Sequence, residues 1–84
     1  MSTGYLIVIE GDDDSGYSSY SPDLPGVIAA AETRDECEAL MREAITFHIE
    51  GLIEDSEPVT SPTCRGAVVE VPTELLPGPT GRRP

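Results

Sequence analysis

An α+β fold of order β-β-β-α-β, with a three-to-four-stranded sheet and one long helix on one face, is predicted by three features of this 84-residue chain. They are a β-branched apolar run followed by an Asp/Gly turn, a second turn built on Pro-Gly, and one long amphipathic segment behind a helix-capping signal. A hairpin, a third adjacent strand and a single helix sharing one face make the class α+β rather than alternating α/β. The chain is too short for more than one domain, and its 8 glycines and 8 prolines assign part of it to turns and tail.

Residues 5–10, YLIVIE, form the first strand, with Tyr5, Ile7 and Ile9 on one face and Leu6 and Val8 on the other. Residues 11–16, GDDDSG, form a turn of aspartates that bond their own backbone, bounded by glycines that accept positive φ. The return strand at 17–21, YSSYS, is polar enough to lie towards an edge, and Pro22, which lacks an amide hydrogen, ends it. In the turn at 22–26, Pro25 and Gly26 suit the two central positions of type II. Residues 27–31, VIAAA, give a third strand whose small side chains let a helix come close.

Thr33 and Glu36 read as a capping box. Beyond them Cys37, Leu40, Met41, Ala44, Ile45, His48 and Leu52 recur at three- and four-residue steps, a stripe roughly 140° wide at 3.6 residues per turn. Glu38 and Arg42 form an outward i,i+4 pair, Gly51 weakens the helix, and it ends before Pro58. Residues 57–66 form an extended loop, 67–71 (AVVEV) a fourth strand, and 72–84 a Pro/Gly-rich flexible tail beyond a domain spanning 1–71.

Sixteen acidic residues against five arginines and no lysine give a formal net charge of −11. Such a field repels phosphate backbones and favours basic protein partners. With only four scattered aromatics, Tyr5, Tyr17, Tyr20 and Phe47, direct nucleic-acid binding by the domain is not expected. The absence of a secretion-type N-terminus or a long apolar run predicts a cytoplasmic protein that does not bind membranes. Cys37 falls on the apolar helical stripe, where a buried thiol is the commoner outcome.

No catalytic set, metal site or cofactor is assigned. An EF-hand loop starting at Asp12 would need Gly at its sixth position, which Tyr17 occupies. Cys37 and His48 are about 16 Å apart along a helix, too far for a nucleophile and its base. A metal-dependent nuclease remains as an alternative and needs Glu10 or Asp12 to meet Glu36 or Glu43 in space; an orphan protein-binding domain is another. Binding protein is the leading reading, with Asp12, Asp13, Asp14 and Asp23 as charge partners and Leu24, Pro25 and Gly26 shaping the adjoining loop. The sheet has edges to cover, so a homo-oligomer, dimer or tetramer, is expected.

The order of these motifs resembles the HicB-like antitoxin family: YLIVIE, an Asp/Gly turn ending at Gly16-Tyr17, SPDLPG at 21–26, a Thr-capped helix with Glu43-Ala44-Ile45 and His48-Ile-Glu50, then Glu54-Asp55-Ser56-Glu57-Pro58. The likeness runs from residue 5 to about 62. Val27 stands where a Cys often follows LPG, and Ser56 where Gly is frequent. The resemblance implies a degenerate RNase H-like domain that occludes a small basic HicA-type toxin, an mRNA-cleaving ribonuclease. Many relatives continue into a helix-turn-helix or ribbon-helix-helix segment, a pattern that residues 72–84 do not carry.

Overall fold

In the structure, a computed structural model that describes residues 3–77, three antiparallel strands form a meander in the order β1-β2-β3, and one helix lies across a single face. The strands are β1 (Val8–Asp12), β2 (Gly16–Tyr20) and β3 (Ile28–Ala31); the helix α1 spans Arg34–Glu54. Among the described residues no helix is long and apolar enough to cross a membrane.

The first hairpin closes because its turn supplies its own hydrogen bonds and its glycines accept unusual backbone angles. Gly11 has φ +125°, and a Cβ there would collide with the Gly16 carbonyl oxygen; Gly16 has φ +86°. Register follows, with Gly11 opposite Tyr17, Ile9 opposite Ser19 and Val8 opposite Tyr20. Residues 5–7 lie ahead of β1 rather than inside its ladder, although the Ser21 hydroxyl still donates to the Leu6 carbonyl at 2.8 Å.

The polar β2 is the central strand, not an edge, since a meander puts its middle strand between the other two. Serine is useful there because it is small: Ser19 within β2 and Ser21 just beyond it are each 3% exposed. Beyond Ser21, the Val27 amide donates to the Leu24 carbonyl at 3.2 Å, and Gly26 takes φ +90°. These are the hydrogen bond and the positive second central φ that a type II turn requires. Leu24 and Val27 on either side of the turn are both buried.

Thr33 starts α1 as expected. Its hydroxyl oxygen accepts from the Glu36 amide at 3.1 Å, while the Glu36 carboxylate meets the Thr33 hydroxyl at 3.4 Å rather than the Thr33 amide. Arg34, Glu38 and Arg42 make exposed ion pairs on the outer side, whose contribution to stability is small. The inward stripe is narrower than its periodicity suggests: Cys37 and Met41 are fully buried, Ala44, Ile45, His48 and Leu52 are half-buried, and Leu40 remains 44% exposed. Leu24, Val27 and Met41 form the core, with Tyr5, Ile7, Ala29, Ala44 and Ile45 packed around it. Cys37 is a free thiol that donates to the Ala29 carbonyl.

The helix ends in a Schellman arrangement. The Ser56 amide donates to the Ile53 carbonyl and the Glu57 amide to the Leu52 carbonyl, with Ser56 at φ +56°. This left-handed position favours glycine, so Ser56→Gly is expected to raise stability by about 0.5–1 kcal/mol in urea unfolding.

The expected fourth strand is absent. Residues 57–72 carry no regular structure, and within 67–71 Val68 is 95% and Val69 81% exposed. Strand preference is realised only against a neighbouring strand. β1 itself carries Glu10, a positive-φ Gly11 and Asp12, which disfavour a regular ladder with a segment that contains Glu70. In the predicted tail, Thr73–Leu75 form one 3-10 turn; residues 78–84 lie outside the described residues.

Candidate functional site

The acidic hairpin tip is an ordered surface. Asp12 Oδ1 accepts from the Asp14 amide at 3.0 Å, the Ser15 amide at 2.8 Å and the Ser15 hydroxyl at 2.8 Å, fixing the turn by a side-chain hydrogen-bond pattern typical of Asx turns. These bonds, led by the Ser15 amide, hold the Asp12 carboxyl below the usual aspartate range. Asp13 Oδ1 accepts from the Tyr17 hydroxyl at 2.8 Å, which raises the phenol above its ordinary value because losing that proton would put two negative charges side by side. Asp14 makes no side-chain hydrogen bond among the described residues, and all three aspartates are exposed.

Across a shallow concavity from Asp13 and Asp14 stands Glu32, at the end of β3, with Ser15, Gly16 and Thr33 completing the lining. This geometry gathers carboxylates from two elements around a space that would take an arginine or lysine side chain from a partner.

Asp23, the fourth expected charge partner, faces inward. It is 7% exposed, and its two oxygens accept from the Thr63 amide at 3.0 Å, the Thr63 hydroxyl at 2.9 Å and the Cys64 amide at 3.0 Å. The Cys64 amide chiefly, then the Thr63 groups, keep its carboxyl below the usual range. A buried carboxylate is stable when donors surround it in this way. Asp23 therefore clamps the loop after the helix onto the β2–β3 turn. The Tyr5 hydroxyl holds the same loop, donating to the Thr60 carbonyl at 2.6 Å.

Leu24 is core, at 2% exposure, and Pro25 and Gly26 form the exposed turn beside it. Sequence reasoning brought residues 12–14 together with their own turn but missed Glu32, which only the pairing of β2 with β3 brings near them. It also missed the Asp23 clamp, whose partners lie 40 and 41 positions away. Among the described residues no three His, Cys, Asp or Glu side chains converge where they could hold one metal ion, the convergence a nuclease site would need.

A family model described as HicB_like antitoxin of bacterial toxin-antitoxin system matches residues 5–73. An uncharacterized 14.9 kDa protein from the rep-hol intergenic region of Haemophilus phage HP1 is 47% identical over 53 residues, 63% of this chain and 39% of that protein. Antitoxin HicB 2 of Photorhabdus laumondii is 30% identical over 64 residues, 75% of this chain and 46% of the relative. UPF0150 protein ssr1765 of Synechocystis is 34% identical over 55 residues, 66% of this chain and 70% of that one. The chain thus spans less than half the length of the first two relatives.

Proposed function

We propose, since this chain belongs to the HicB-like antitoxin family of bacterial toxin–antitoxin systems, that it neutralises a small basic HicA-type toxin by covering the surface with which that toxin holds and cleaves mRNA. The protein acts by binding and catalyses no reaction. One observation carries this reading: an exposed hairpin tip, fixed by its own hydrogen bonds, presents Asp13 and Asp14 beside Glu32 on a chain of net charge −11. A rigid acidic protrusion loses little conformational freedom on meeting a basic face and speeds the encounter through its field. The β-β-β-α order supports a degenerate RNase H-like scaffold for the tip. Cytoplasmic residence follows from this role, because the RNA target is there.

Asp12 belongs to the scaffold of the tip and Asp13 and Asp14 to its contact surface. Replacing Asp13 and Asp14 by Lys while keeping Asp12 is expected to slow association with the toxin by roughly tenfold or more at low salt and to flatten the salt dependence of the rate. Surface plasmon resonance across a salt series measures both, and growth rescue on co-expression gives the cellular counterpart. Unchanged association rates and an unchanged salt slope would remove the tip from the interface.

A further inference from the structure

A second surface, at the opposite edge of the sheet from β1, combines an unpaired strand with an acidic helix face. We propose that the β3 edge takes up a short extended segment of a basic partner protein as an added strand, with apolar and cationic side chains of that segment held against α1. The proposal rests on the antitoxin reading and deepens it, by naming the element of the toxin that is bound and the edge that binds it.

The outer side of β3 has no neighbour in the three-stranded sheet. Alternate residues of an edge strand turn their amide and carbonyl away from the sheet, where they are a template for a further strand. Ile28 and three alanines make up β3, so little bulk stands in the way. The helix runs back along this edge: one concavity joins Ala30 and Glu32 to Glu36 and Leu40, and another joins Ile28 to Phe47 and Asp55.

Exposure and charge define the occupant. Ile28 is 72%, Leu40 44% and Phe47 79% exposed. Along α1 the exposed positions Glu36, Leu40, Glu43, Phe47, Glu50 and Glu54 follow one another at three- and four-residue steps, so two apolar side chains stand in a row of four glutamates. Glu32 and Asp55 close the two ends, and among the described residues no arginine lines either concavity. Such a surface fits a chain rich in both apolar and cationic residues. Ala29 packs against the core, so Ile28 points to the opposite face of the sheet. An added strand would therefore lay one set of side chains over Leu40, Phe47 and the glutamates, and the other set beside Ile28.

Other occupants fit less well. A helix laid along β3 would cover the outward amides and carbonyls without pairing them, and unpaired buried backbone groups are costly. A second copy brings a charge of −11 of its own, and none of its strands carries a lysine or arginine. A basic segment meets neither objection. Glu32 also lines the concavity at the hairpin tip, so one basic partner can hold the tip and the edge together.

The probe is a synthetic peptide of about nine residues alternating valine and lysine, titrated into the isotope-labelled full chain and followed by nuclear magnetic resonance. Amide exchange at the outward positions of residues 28–31 is expected to slow by about tenfold or more, and a control peptide with proline at alternate positions should give no such protection. Phe47→Lys, at an exposed position, should weaken peptide binding by about tenfold while circular dichroism and melting stay unchanged. Protection confined to the hairpin tip or to β1, equal protection by the proline peptide, or an unchanged affinity of Phe47→Lys would each overturn the proposal. So would exchange at residues 28–31 that slows with protein concentration in the absence of peptide, which would give the edge to a second copy. A chain that takes up the peptide at β3 but fails to rescue growth from a HicA-type toxin upholds the edge and overturns only the antitoxin reading.

Discussion

Met41→Ala should lower stability by about 2–5 kcal/mol, enough to leave a substantial fraction of the chain unfolded near physiological temperature. Met41 is fully buried, and among the described residues the cluster it joins has two other buried apolar members, Leu24 and Val27, with Cys37 buried beside it on the same helix. A core this small offers few atoms to move into the space left by the lost thioether, so both the transfer and the cavity contributions are felt. For a domain of this size, each kcal/mol shifts the melting temperature by about 4–8 °C, and a fall of roughly 10 °C or more is expected in a thermal scan. Met41→Leu, which conserves volume, should cost less than about 1.5 kcal/mol. Equal losses for the two variants would mean that the thioether itself, not the space it fills, is what matters.

Asp23→Ala should release the loop after the helix while leaving the sheet and α1 in place. The substitution takes the acceptors from the Thr63 amide and hydroxyl and the Cys64 amide together. Arg65 follows the clamp directly, which makes tryptic cleavage after it a local readout: the rate is expected to rise by roughly tenfold, with far-ultraviolet circular dichroism nearly unchanged. Acid should act on the wild-type chain in the same direction. The carboxyl titrates lower when folded than when free, so its contribution is fully present above the ordinary aspartate value of about 3.9 and is lost as pH falls through the folded value. An unaltered cleavage rate in the variant would show that Tyr5 and Thr60 hold the loop unaided.

Local chemistry was legible from sequence, and pairing at long range was not. The Asp/Gly turn, the Pro25-Gly26 turn and the Thr33 cap each depend on residues within a few positions of one another, and each is found in the structure. The centre of the sheet was misread because serine polarity suggests an edge, whereas small size admits Ser19 beneath the helix. The fourth strand was misread because valine-rich sequence states a preference and not the presence of a partner. Asp23 looked like surface charge because the amides that enclose it come from a loop with no pattern of its own. At the candidate site, residues 12–14 could be picked out by composition, but the hydrogen bonds that make Asp12 the closure of the turn and leave Asp13 to the Tyr17 phenol could not.

The bond from the Tyr17 phenol to Asp13 gives the hairpin a chromophore of its own. The chain contains no tryptophan to mask it and only two other tyrosines, Tyr5 and Tyr20. A cationic side chain that drew Asp13 towards itself would leave the phenol to water, and the ultraviolet absorption and emission of that ring would register the arrival. The tip proposed to meet a partner is therefore one whose occupancy is visible without an attached dye.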